Sequence, residues 1–203
     1  MTQQADQPGI WQTPLDTFRD ALAHDPMPGC GAAATVTAGC GLALMLKGLH
    51  LGQRHAPRAP RAALIERGEA LEQALVPLAD ADVAAFQAMM AALDRPQQTD
   101  EQRASRAEAL HRAARDAVEV PLATARRCLE ALALGEEILA NIETQFESDA
   151  RAGGYLLSAA VDSVLLNVEA NLAALDEQDR RYALKERDTL AIELGAARAA
   201  LGV

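Results

Sequence analysis

The sequence predicts an all-α protein, a single-domain up-and-down antiparallel helical bundle of about seven helices. Three observations carry this. Half of the 203 residues are hydrophobic and only 3% are aromatic, with alanine and leucine, which lose little freedom on a helix surface, dominating. Apolar residues recur at three- and four-residue spacing along most of the chain. Capping residues and prolines then punctuate it at intervals of one helix, and a chain of this length buries one sizeable core.

A polar segment, residues 1–12, precedes the helical part, residues 13–203. The first helix is expected to start at Thr13-Pro14-Leu15-Asp16, with Thr13 as its cap and Leu15, Phe18, Ala21 and Leu22 as its apolar stripe. A Pro/Gly loop, Asp25 to Gly31, leads into the second helix, about Ala32 to Leu51, whose small residues Ala33, Ala34, Ala38, Gly39 and Gly41 permit close helix approach. Gly29 and Gly31 are expected to supply positive φ, and the helix start to offer free N–H groups to an anionic ligand.

A basic connection holding Arg54, His55 and Arg58 leads to Arg61, where a long third helix starts; it runs to about Leu93 with a kink at Pro77. Thr99 and Gln102 form a capping box for a fourth helix that is expected to end before Pro121, where a fifth begins and runs to about Asn141. A sixth helix starts near Ser148-Asp149 and carries Leu156, Leu157, Ala160, Val164, Val168 and Leu172 on one face. The last covers about Glu177 to Leu201.

A net charge of −10 disfavours nucleic acid and anionic membranes as partners, since both demand a cationic footprint. The uncharged run from Cys30 to Met45 is shorter than a bilayer span and reads as a core helix. Cys30, Cys40 and Cys128 are odd in number and lack C-x-x-C spacing, which fits reduced thiols in a cytoplasmic protein. No secretory signal pattern opens the chain.

Glu108 and His111 have the spacing of carboxylate-bridged metal helices, but no second Glu-x-x-His completes the set, so no metal is expected. Cys30 at a helix start resembles a nucleophile, yet no histidine lies near it in sequence, and a small-residue role is preferred. Asp80 and Asp82 stand in an apolar stretch where desolvation raises a carboxyl pKa, and Asp82 shares a face with Phe86. Asp149 suits a first-turn acid on a helix dipole. Asn167 and Asn171, one turn apart, require partners if buried.

Pro28-Gly29-Cys30-Gly31-Ala32-Ala33-Ala34, Asp82-Val83-Ala84-Ala85-Phe86, Val120-Pro121-Leu122, Ser148-Asp149-Ala150 and Asn167-Val168 follow one another in the order and spacing of a known family. From about Leu15 to Leu175 the chain resembles the cyclodeaminase/cyclohydrolase family of folate enzymes, and most of all its free-standing methenyltetrahydrofolate cyclohydrolase branch. The sequence departs from the usual pattern at Cys30 and Ala32 of the glycine loop, at the basic run His50–His55, and at Ala84, Ile142–Gln145 and Arg151.

The resemblance implies a homodimer that acts on a tetrahydrofolate derivative without a further cofactor. The reaction implied is hydrolysis of a methenyl bridge or ring closure with loss of ammonia. It implies Asp82 and Asp149 as acid/base residues and Pro28, Gly29, Cys30, Gly31, Arg54 and Asn167 as substrate-binding residues.

Overall fold

In a computed structural model, which describes residues 9–203, eight α-helices follow in the order α1 (Leu15–His24), α2 (Cys30–His55), α3 (Ala59–Leu75), α4 (Pro77–Leu93), α5 (Asp100–Ala133), α6 (Gly135–Asn141), α7 (Glu147–Asn171) and α8 (Glu177–Leu201). Short 3-10 turns stand at Ile10–Gln12, Thr144–Phe146 and Leu172–Ala174. No strand occurs among the described residues. Of the polar leading segment, residues 1–8 lie outside the described part.

The centre of the bundle is the pair α2 and α7, which run antiparallel: Gly31 lies against Asn167, Gly41 against Gly153 and Gly48 against Ile142. A Cβ at Gly153 would stand 2.3 Å from the carbonyl oxygen of Gly41, so the two backbones touch and any side chain there forces them apart. Leu42, Met45, Leu46 and Leu49 of α2 interlock with Leu157, Val161, Val164 and Val168 of α7 in one core, joined by Leu122 and Leu129 of α5 and Leu190 and Leu194 of α8. The uncharged run from Cys30 is thus a core helix, as its composition indicated. By length and composition alone, Cys30–His55, Ala59–Leu93 and Thr144–Ala174 are each long and apolar enough to cross a membrane.

Local signals placed several ends well. Thr99 and Gln102 form the expected capping box, and Asp176 caps α8 by accepting the N–H of Asp179 at 2.8 Å. Pro77 divides the long third helix into α3 and α4 through a single residue, Val76, which keeps helical dihedrals (φ −50°, ψ −46°). The helix is interrupted there for one residue, where a ring replaces an N–H.

Three expectations fail. Thr13 does not cap α1: Pro14 holds that position, and the Thr13 hydroxyl donates to the carbonyl of Gly9 at 3.2 Å. Phe18 is the buried residue of α1, while Leu15 is 78% exposed, because no neighbouring helix covers the rest of the stripe. Pro121 does not separate two helices either, since α5 runs through it unbroken. The carbonyl that loses its partner to the proline ring, that of Ala117, accepts instead from the Asn171 side-chain amide at 3.1 Å, which removes the penalty of an unpaired acceptor.

Arg61, from the basic stretch, is buried and structural. Its guanidinium donates to the carbonyls of Asn141 (3.0 Å) and Ala56 (3.1 Å), closing the ends of α6 and α2.

Candidate functional site

A cavity of about 320 Å³ opens where the start of α2, the middle of α4, the middle of α5 and the end of α7 converge. The loop before α2 contributes Pro26, Met27 and Gly29, with Cys30 beside them; α4 contributes Asp82, Val83, Ala85, Phe86 and Met89. Ala117 of α5 and Asn167 and Asn171 of α7 close the far wall. The walls are mostly apolar, and the polar groups gather around one carboxylate, which is the usual make-up of a small-molecule site.

That carboxylate is Asp82. One of its oxygens accepts the N–H of Ala32 at 3.0 Å, and the other accepts the Asn167 side-chain amide at 3.2 Å. Burial raises its pKa above the ordinary carboxylate value, while the two hydrogen bonds to its ionised form pull the other way. The pocket therefore presents a base of heightened proton affinity held at a fixed angle. An N–H at the start of α2 that was expected to meet an anionic ligand is taken by this carboxylate, so that end of the pocket suits a cation.

Gly31 is required by this arrangement rather than by its own backbone. A Cβ at Gly31 would fall 2.0 Å from Asp82 Oδ1 and 2.8 Å from Asn167 Nδ2, whereas one at Gly29 would meet nothing within 4 Å. The expected positive φ is absent at both; among the described residues only Gly202 has it. Pro28 follows a cis peptide bond in the loop. The Cys30 thiol is pushed up in pKa by burial and by the charge on Asp82, so it stays protonated at neutral pH and is not poised as a nucleophile.

The structure brings Gly29, Cys30, Gly31, Asp82 and Asn167 together and leaves Arg54 and Asp149 elsewhere. Arg54 is exposed in the last turn of α2, about 36 Å from Cys30 at roughly 1.5 Å per residue. Asp149 lies in the first turn of α7, paired with Lys47 at 2.8 Å, and is about 27 Å along the helix from Asn167 by the same rise. Within one chain neither residue shares the pocket with Asp82. Asp80 is exposed and accepts the backbone N–H of Ile10 at 2.7 Å, while the indole of Trp11 donates to the Val76 carbonyl and covers Gly39.

Met89 and Ala117 escaped the sequence reading. Only Ala117 had a usable signal, since a proline inside a helix frees the carbonyl four residues before it. Of the Glu-x-x-His pair, Glu108 lies 3.6 Å from Arg112, and His111 faces Asp176 and Asp179, with Arg115 also 3.4 Å from Asp179.

Residues 14–189 match the family described as formiminotransferase-cyclodeaminase. The chain is 36% identical over 190 residues to a methenyltetrahydrofolate cyclohydrolase of Methylorubrum extorquens, covering 90% of each protein. It is 31% identical over 193 residues to a formimidoyltransferase-cyclodeaminase of Sus scrofa, covering 93% of this chain but 36% of that longer protein. The crystal structure of formiminotetrahydrofolate cyclodeaminase from Thermotoga maritima shares the fold, with a TM-score of 0.81 over 95% of each chain at 21% identity.

Proposed function

The chain belongs to the formiminotransferase-cyclodeaminase family, and on that premise we propose that it is a methenyltetrahydrofolate cyclohydrolase, interconverting methenyl- and formyltetrahydrofolate. One observation carries the reading: the polar centre of the cavity is a lone carboxylate, Asp82, oriented by the Ala32 N–H and the Asn167 amide. The methenyl substrate is an amidinium-like cation whose central carbon lies between two ring nitrogens. Beside it, Asp82 stabilises the positive charge and accepts a proton from the water that adds to that carbon. The same proton, delivered to the departing nitrogen, lets the carbon–nitrogen bond break, while the hydroxyl left on the carbon releases its own proton to solvent as the formyl C=O forms. Phe86, Met89 and Val83 supply apolar surface for the flat pterin.

The reading includes a homodimer in the cytoplasm. Three free thiols agree with a reducing compartment. Cys40, Ala43 and Lys47 form an exposed strip along the otherwise buried middle of α2, with Leu44 half-buried beside it, and two copies meeting there would cover it. Asp149 of α7 pairs with Lys47 of that strip, and in this reading it would serve a pocket only across a contact between copies.

A second reading within the same chemistry is ring closure of formiminotetrahydrofolate with loss of ammonia, favoured by the longer relative of Sus scrofa. Purified protein supplied with each substrate separates the two: loss of methenyl near-ultraviolet absorbance supports the first, and ammonia release with a gain of that absorbance supports the second. Neither signal, together with thermal stabilisation by a folate, would indicate a binding protein.

A further inference from the structure

We propose that Asn171 is a positioning residue for Asp82, and that Pro121 sets the polarity of the relay connecting them. The inference rests on Asp82 being the pocket's working carboxylate. Pro121 lacks an N–H, which leaves the Ala117 carbonyl free within α5. A carbonyl only accepts, so the Asn171 amide must turn its NH2 group toward it, at 3.1 Å. The same NH2 group then lies 3.1 Å from Asn167 Oδ1 and 3.0 Å from the Asn167 carbonyl.

With Asn167 Oδ1 accepting, its own NH2 group faces Asp82 Oδ1 at 3.2 Å. Each amide is thereby held in one of its two flips, and Asp82 receives a donor rather than an opposing acceptor. The device spans three helices, α5, α7 and α4, and ends at the carboxylate that the Ala32 N–H holds from α2. Asn167 and Asn171 are half-buried and line the cavity with Ala117, so the relay forms its wall.

A purely structural role for Asn171, capping a stray carbonyl, is separable from this one. Asn171→Leu leaves the Ala117 carbonyl orphaned and Asn167 free to flip. Adding Pro121→Ala returns a backbone N–H to that carbonyl but does nothing for Asn167. The Asp82 carboxyl titration, followed by ¹³C NMR and assigned by its absence in Asp82→Asn, is read on the free protein. The other groups near Asp82 are the Cys30 thiol on α2 and Asp80 on its own helix, while Ala117, Asn167 and Asn171 from α5 and α7 carry no charge.

The double variant Asn171→Leu/Pro121→Ala is expected to recover the thermal stability lost in Asn171→Leu. Its Asp82 titration is expected to remain displaced upward by about one pH unit, with kcat down at least about tenfold and KM little changed. Where the leucine variants fail to fold, Asn171→Ser, which admits pocket water to the Ala117 carbonyl, is expected to show the same displacement. A folded variant with the wild-type titration overturns the proposal, as does a double variant that regains both stability and the wild-type titration. A wild-type protein without turnover on either folate would instead overturn the functional reading, leaving the titration result to stand on its own.

Discussion

Asp82 and Ala32 lie fifty residues apart in sequence, and the N–H of Ala32 donates to the Asp82 carboxylate at 3.0 Å. That bond fixes an acid of α4 to the first turn of α2, so the helix start serves a side chain of the protein itself. The donor at the other oxygen, Asn167, completes a carboxylate held on two sides with its remaining surface toward the cavity.

Gly31 and Gly29 are expected to differ sharply. In Gly31→Ala the new methyl group collides with the Asp82 carboxylate, so activity is lost and the fold is weakened by about 1–3 kcal/mol, the usual cost of overpacking. Gly29→Ala has open space and is expected to change stability by less than about 0.5 kcal/mol. Denaturant unfolding of the two variants measures both effects.

Burial raises the Asp82 pKa in the folded chain above 3.8, so the folded state binds that proton more tightly than the unfolded state does. The stability this proton confers is fully present below the unfolded value and is lost as pH rises through the folded value. At neutral pH the ionised group therefore weighs against the fold, and Asp82→Asn is expected to melt no lower than wild type at pH 7. A stability advantage for the variant is expected to disappear in acid below about pH 4, near the ordinary aspartate pKa. Turnover, which needs the ionised base, falls as pH drops through the same raised pKa. Asn167→Leu, which removes a hydrogen bond to the ionised form, moves that limb to higher pH; an unmoved limb would show that another group controls it.

Two copies in contact through α2 are expected to give twice the chain mass by size-exclusion chromatography with light scattering. Ala43→Glu, a charge on the exposed strip, is expected to give the single-chain mass with unchanged helical circular dichroism. Lys47→Ala removes only a half-exposed ion pair with Asp149, whose loss costs less than about 1 kcal/mol in stability.

The parts of this fold that are local in sequence were readable there. The Thr99–Gln102 box, the extent of α8 and the apolar face of α7 depend on residues within a few turns of one another. The Pro121 boundary misled because its remedy, Asn171, lies 54 residues from the freed carbonyl on another helix. The pocket was half readable: Asp82, Phe86 and the glycine loop were singled out, and they meet. Arg54 and Asp149 do not join them within one chain, because a helix of 26 residues carries its two ends far apart, a separation that motif order does not convey.

The most direct test compares wild type with Asp82→Asn in the loss of methenyltetrahydrofolate near-ultraviolet absorbance, each corrected for the spontaneous reaction and checked for native circular dichroism. Wild type is expected to accelerate the loss, and Asp82→Asn to lower kcat at least about a hundredfold. Wild-type turnover in a folded Asp82→Asn protein would contradict the role assigned to this carboxylate.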